Sequence, residues 1–184
     1  MRKFWLMAIL TGLASAQNPH MTSRSGGKVQ QSVVFDGKTF FLKFIDETRI
    51  VALNEYYLRD ETPDHWTQMV SVSMYKTDGS PAAMARNMEQ SLLQAHPDAP
   101  HQLGTSADGG QAWFRCVNWA GDRKTGSEFA VFRFQRTPRG VLGYQVSLRP
   151  YQAGIAPAEY QALQDRWTQK LQAEKFPDVT LQMP

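Results

Sequence analysis

Apolar residues recur at two different spacings along this chain, and the switch between them marks out the elements. Val33-Val34-Phe35 and Thr39-Phe40-Phe41-Leu42-Lys43-Phe44 are β-rich runs separated by Asp36-Gly37-Lys38. An Asp-Gly pair in that setting is a strong hairpin signal, because tight hairpin turns need positive φ at their centre. Residues 49–58 read as a third strand, and 60–65, carrying Pro63, as a polar turn. From Trp66 to Tyr75 the Met, Val and Met-Tyr spacing predicts a short helical turn that feeds another strand. Ser80-Pro81 opens a helix, since Ser caps free backbone N–H groups and Pro at the first helical position loses nothing. Met84, Met88, Leu92 and Ala95 then share one face until His96-Pro97 stops it.

Residues 97–110 read as a long polar loop. Strands follow at 111–119, 127–136 and 141–149. In the last of these Tyr144, Val146 and Leu148 oppose Gln145, Ser147 and Arg149, which predicts one solvated face. A final helix starts near Pro157, carries Tyr160, Leu163, Trp167 and Leu171 on one stripe, and ends at Phe176-Pro177. The expected fold class is α+β: an antiparallel sheet of about six strands packed by two main helices, sandwich-like, in one domain over residues 29–184.

The first residues address the chain. Arg2 and Lys3 form a positive start, Phe4 to Leu13 an apolar stretch, and Ala14-Ser15-Ala16 the small-residue cleavage pattern of a secretory signal. That stretch spans about half of a bilayer's hydrocarbon core, so an anchor is not expected after cleavage. Residues 17–28, rich in Asn, Pro, Ser, Thr and Gly, read as a flexible lead. The expected compartment is the periplasm or the exterior.

Removing Arg2 and Lys3 leaves 18 basic against 17 acidic side chains, so the formal charge of +3 falls to +1. The remaining bases are scattered singly, with no run to neutralise a row of phosphates, and nucleic acid is not an expected partner. Cys116 is the only cysteine, which excludes an internal disulfide. It lies in the run Ala112-Trp113-Phe114-Arg115-Cys116-Val117 and reads as a small core residue rather than a nucleophile.

Histidines at 20, 65, 96 and 101 lack the spacing of a metal site, and His96 and His101 read as solvated loop residues. No metal or cofactor is expected. Nucleophile-elbow, phosphate-loop and dinucleotide signatures are all missing. Glu47 with Glu55, or Asp60 with Glu61 and Asp64, are the carboxylate sets available for acid–base work. What stands out is aromatic and cationic side chains beside turns. Tyr56, Tyr57, Arg59, Trp66, Trp119, Arg123 and Lys124 are the expected protein-binding set, because aromatics with Arg anchor interfaces.

Asn54-Glu55-Tyr56-Tyr57-Leu58, then Asp60-Glu61-Thr62, then Trp66-Thr67-Gln68-Met69-Val70-Ser71-Val72 resembles a pattern in small exported bacterial proteins, and the element order resembles the PsbP/DcrB-like α/β/α sandwich. The resemblance implies a fold and a compartment, with no shared catalytic residues. The expectation for function is an exported, non-catalytic protein that acts through a protein partner, in its most concrete form a periplasmic immunity-type inhibitor of an envelope-targeting toxin. A small-molecule or lipid-binding accessory protein lined by the Met84–Leu92 stripe and a hydrolase with an unmarked site are the alternatives.

Overall fold

The computed structural model describes residues 31–119, 126–150 and 157–173. The described chain runs β1 (Ser32–Phe35), β2 (Lys38–Glu47), β3 (Val51–Tyr57), β4 (Gln68–Tyr75), α1 (Pro81–Ala95), β5 (His101–Thr105), β6 (Gln111–Trp119), β7 (Ser127–Thr137), β8 (Gly140–Leu148) and α2 (Pro157–Ala173). All strands join one antiparallel sheet in the order β1-β2-β3-β4-β8-β7-β6-β5. Two four-stranded meanders are thus sewn together where β4 pairs with β8, Val70 opposite Val146. The class is α+β as expected.

Among the described residues the sheet has eight strands rather than about six. The difference comes chiefly from β5, which lies inside the segment expected to be loop. Its sequence His-Gln-Leu-Gly-Thr offers one large apolar residue, because an edge strand needs little. Gly104 there is a packing site: a methyl group on it would fall 2.4 Å from the Trp113 indole, which lies across the glycine from β6. A second correction concerns β4. It is strand from Gln68 onward, because Val70 and Val72 alternate with Ser71 and Ser73 at period two.

The helices lie on opposite faces. Met84, Ala85, Met88 and Leu92 of α1 pack on Ala112, Phe114 and Cys116 of β6 and on Ala130, Phe132 and Phe134 of β7. Alternate residues of β7, Phe129 and Val131, join Trp167 and Leu171 of α2 together with Phe35, Phe40, Tyr56, Tyr144 and Val146. Met84, Met88 and Leu92 of the predicted α1 stripe are therefore core, as are Trp167 and Leu171 of α2, whereas Ala95 is exposed. Ser80 caps α1 by accepting from the Ala83 amide at 3.1 Å.

Strand β8 has no solvated face, against the expectation from its alternation. It lies between β4 and β7, so Ser147 is as buried as Leu148, both at 0% exposure. Gln145, half-buried, donates to Ser147 at 2.8 Å and so gives that buried hydroxyl a partner.

Phe35 of β1 meets Trp167 edge-on at 5.5 Å between ring centres. In a flat sheet β1 would sit about 24 Å from β7, the strand along which α2 lies, at ~4.8 Å per strand. The sheet therefore curls around α2. Asp36 closes the curl from the β1–β2 turn, where it and Gly37 both have positive φ, 49° and 74°. Its carboxylate accepts from Arg166 Nη2 and Trp167 Nε1 at 2.9 Å and from Lys170 Nζ at 3.0 Å. Burial opposes ionisation of Asp36, but these donors outweigh it and hold the carboxyl below the ordinary 3.8.

A depressed carboxyl stabilises the fold above its unfolded value and loses that contribution as pH falls through the folded value. Asp36→Asn is expected to lower stability at pH 7 by about 1–3 kcal/mol, the scale for losing charged hydrogen bonds. Thermal melts from pH 7 to pH 2 should show the gap between wild type and variant begin to narrow as pH approaches the ordinary 3.8 and go on narrowing below it.

Candidate functional site

The strand registers place the described connections at two ends of the sheet. The turns 48–50, 76–80, 106–110 and 138–139 lie at one end of the sheet. The other end receives 58–67 and 96–100, together with the tight Asp36-Gly37 turn, and there β6 ends, β7 begins and β8 ends. The one connection of ten residues among those described, 58–67, is at this end, and a long connection held on a rigid sheet is the usual support for a binding surface. Tyr57, Arg59, Trp66 and Trp119 all belong to this end; Arg123 and Lys124 lie in 120–126 but outside the described residues.

Connection 58–67 is tied internally. Glu61 accepts from the Thr67 amide at 2.9 Å, from the Thr67 hydroxyl, and from the Gln68 amide at 3.5 Å. Thr62 and His65 exchange backbone hydrogen bonds at 3.1 Å each. The Arg149 amide donates to the Thr67 carbonyl at 2.8 Å, which joins the connection to the end of β8. Above that bond the Arg149 guanidinium lies 3.8 Å from the centre of the Trp66 ring.

The tyrosines part company here, since adjacent strand residues point to opposite faces. Tyr56 enters the core under α2 and its hydroxyl accepts from Asn54 Nδ2 at 3.3 Å. Tyr57 faces the other way, 6.2 Å from Trp66, and donates to Glu55 Oε2 at 2.6 Å. Trp66, Tyr57 and Met69 form a small buried cluster. Arg59 is exposed, its guanidinium 4.4 Å above the Phe41 ring. Trp119 is half-buried and lies 4.3 Å from the His96 ring at the C-cap of α1. The expected set thus yields one neighbourhood of Tyr57, Arg59 and Trp66, with Trp119 farther along the same end and Tyr56 behind the sheet.

Three side chains absent from that set complete the neighbourhood. Glu128 is near the start of β7 on the face opposite α2, Arg149 follows β8, and Ser147, paired with Ala130, hydrogen-bonds the Glu128 carboxyl. Arg149 Nε is 3.6 Å from Glu128 Oε2. Burial raises the Glu128 carboxyl above 4.5, while Arg149 and Ser147 pull it back. Burial also pushes the Tyr57 hydroxyl far up, helped by the charges of Glu55 and then Glu128, so both carboxylates act on one phenol. Glu55 therefore works with Glu128. Glu47, its expected partner, is at the far end in an ion pair with Lys76 at 2.9 Å. The signal for Glu128 was its parity with Ala130 and Phe132, legible only once the strand pairing is known.

His101 lies on β5, bonds the Ala99 carbonyl at 2.8 Å and approaches Glu89 at 3.4 Å, so it is a packed strand residue rather than a solvated loop one. Among the described residues no group of three or more His, Cys, Asp or Glu is arranged to hold a metal ion. Likewise no helix among them is long and apolar enough to cross a membrane.

A protein-family model matches residues 28–176, a span that takes in all eight strands and both helices. The chain belongs to that family, a bacterial family of unknown function. Membership carries no PsbP/DcrB-like assignment. No curated protein matches the chain.

Cys116 is buried beneath α1, and that burial, with the Glu128 charge adding to it, holds its thiol far above the ordinary 9.0. A thiol-selective disulfide reagent at pH 8 should therefore leave the folded chain unlabelled over the time in which denatured chain reacts completely. Rapid labelling without denaturant would contradict the packing described for β6.

Proposed function

We propose that this chain is an exported binding protein without a catalytic role, whose protein partner docks on the end of the sheet that carries connection 58–67. Its most concrete form is a periplasmic immunity-type inhibitor that plugs a toxin directed at the cell envelope. The observation that supports this is the internal bracing of that connection. Glu61 ties its residues together and Arg149 clamps Trp66, while Arg59, Asp60, Asp64 and His65 remain exposed. A braced loop loses little entropy when a partner orders it further, and that saving goes into affinity.

Arg59 adds an anchor. Its guanidinium is stacked on Phe41 yet exposed, an arrangement that binds a partner's carboxylate without much loss of side-chain freedom. Val34, 66% exposed on edge strand β1, extends apolar surface beside it on the same face as Phe41. Arg123 and Lys124, in the connection between β6 and β7, supply further cationic groups in this reading. The export address at residues 2–16 supplies the compartment. A sheet with one helix on each face supports keeping the PsbP/DcrB-like likeness as an analogy of fold.

A hydrolase is the second reading, favoured by one observation: Glu55 and Glu128 act on the same tyrosine, and a raised carboxyl is the property of a general acid. Arg149 and Tyr57 already engage these carboxylates, which favours the binding reading. The small-molecule alternative is less supported, because Met84, Met88 and Leu92 pack directly on the sheet.

Full-length tagged chain exposed to envelope extract is expected to recover a protein partner. Arg59→Glu should reduce its recovery at least tenfold, about 1.4 kcal/mol. Arg139→Glu, in the short turn at the opposite end, should leave recovery unchanged. Recovery of no protein, or equal loss from both substitutions, contradicts the proposal.

A further inference from the structure

One guanidinium joins two elements at the connection end. Arg149 reaches Glu128 on β7 with Nε at 3.6 Å and lies on Trp66 of connection 58–67 at 3.8 Å. Its ion pair orients the same group that covers the indole. We propose that Glu128, Arg149 and Trp66 form a proton-operated latch, in which protonation of Glu128 frees Arg149 and loosens the seat of Trp66, and with it connection 58–67.

Geometry carries the latch. The Glu128 side chain is 16% exposed, so its charge is poorly screened and Arg149 is a strong local influence on it. Groups that act around Glu128 come from every neighbouring element. They are Arg149 after β8, Tyr57 of β3 with Glu55 bonded to it, Cys116 of β6 and Tyr160 of α2. Of these Arg149 alone is a cation. The neutral acid that forms on protonation gives Arg149 no charge to hold, and its guanidinium is left with the contact on the Trp66 ring while its amide keeps the bond to the Thr67 carbonyl.

The sign of the linkage separates this event from unfolding. A carboxyl raised by burial costs stability when ionised, and that cost is relieved as pH falls through its folded value. Asp36 has the opposite sign and keeps α2 clasped down to below 3.8. In mild acid, above 4.5, the connection loosens while the fold as a whole stays intact. The biological consequence, weaker partner binding in acid, rests on the binding reading above; the latch is a property of the free chain.

The test follows the Glu128 carboxyl carbon and the Trp66 indole N–H by NMR on the full-length protein from pH 8 to pH 4. Both are expected to move with one shared midpoint above 4.5. The Trp66 indole in Glu128→Gln should stay near its acid-form position throughout. A Glu128 midpoint at or below the ordinary value overturns the latch. So does a Trp66 signal that ignores the Glu128 titration, or that keeps the same step in the variant. Should the variant fail to fold, the two wild-type titrations decide the matter alone. A chain that recovers no partner at any pH would overturn the binding reading, and the resonances would still settle the latch.

Discussion

Burial of both faces of the central strands is the constraint from which the other features follow. Strands β3, β4 and β8 have neighbours on either side in the sheet, and the curl wraps one of their faces around α2. Val70, Val72, Val146 and Leu148 fill that face with apolar volume. On the other face the same strands bring Glu55, Ser71, Ser73 and Ser147 into the interior, none more than 8% exposed. Polar groups taken from water must find partners in the protein, and each one left without costs on the order of 1–3 kcal/mol. Tyr57 with Glu55, Gln145 with Ser147, and Arg149 with Glu128 are partnerships of this kind.

These partnerships gather toward the end of the sheet that carries connection 58–67, and so a requirement of folding becomes a means of fixing a surface. Arg149 satisfies Glu128 and holds Trp66 in one arrangement. Glu61 does for the backbone of 58–67 what Arg149 does for its indole. Exposed Arg59 and the acidic residues beside it then project from a segment whose ends are fixed. At the opposite end the turns are five residues or fewer, and the Ser106–Asp108–Gly110 turn is held by its own side chains. The contrast between the ends gives the binding reading its direction, and the sign difference between Asp36 and Glu128 gives mild acid a local target.

Much of the fold was legible because period and turn chemistry are local. Asp36-Gly37 announced the first hairpin, Ser80-Pro81 the start of α1, and Tyr160, Leu163, Trp167 and Leu171 the buried stripe of α2. What escaped depends on neighbours far away in sequence. β5 is held by Trp113 lying across Gly104, and a glycine gives no sign of such a partner. Ser147 and Gln145 read as a wet face because alternation alone does not say whether a strand is central or at an edge. The site followed the same logic. Tyr57, Arg59 and Trp66 were found from composition beside a turn, whereas Glu128 and Arg149 are joined by the β7–β8 pairing. Glu55 was noticed with the wrong carboxylate, since Glu47 is closer in sequence and far away along the strand.

Connection 58–67 is a braced platform rather than a loose loop, and amide hydrogen exchange on the full-length chain at pH 7 decides between the two. The Glu61 amide donates to the Leu58 carbonyl, that of His65 to Thr62, and those of Thr67 and Gln68 to the Glu61 carboxylate. The account predicts that Thr67 and Gln68 exchange as slowly as the interior of β4, and that His65 is protected although its side chain is exposed. Exchange of these amides at the rate of an unstructured chain would contradict it.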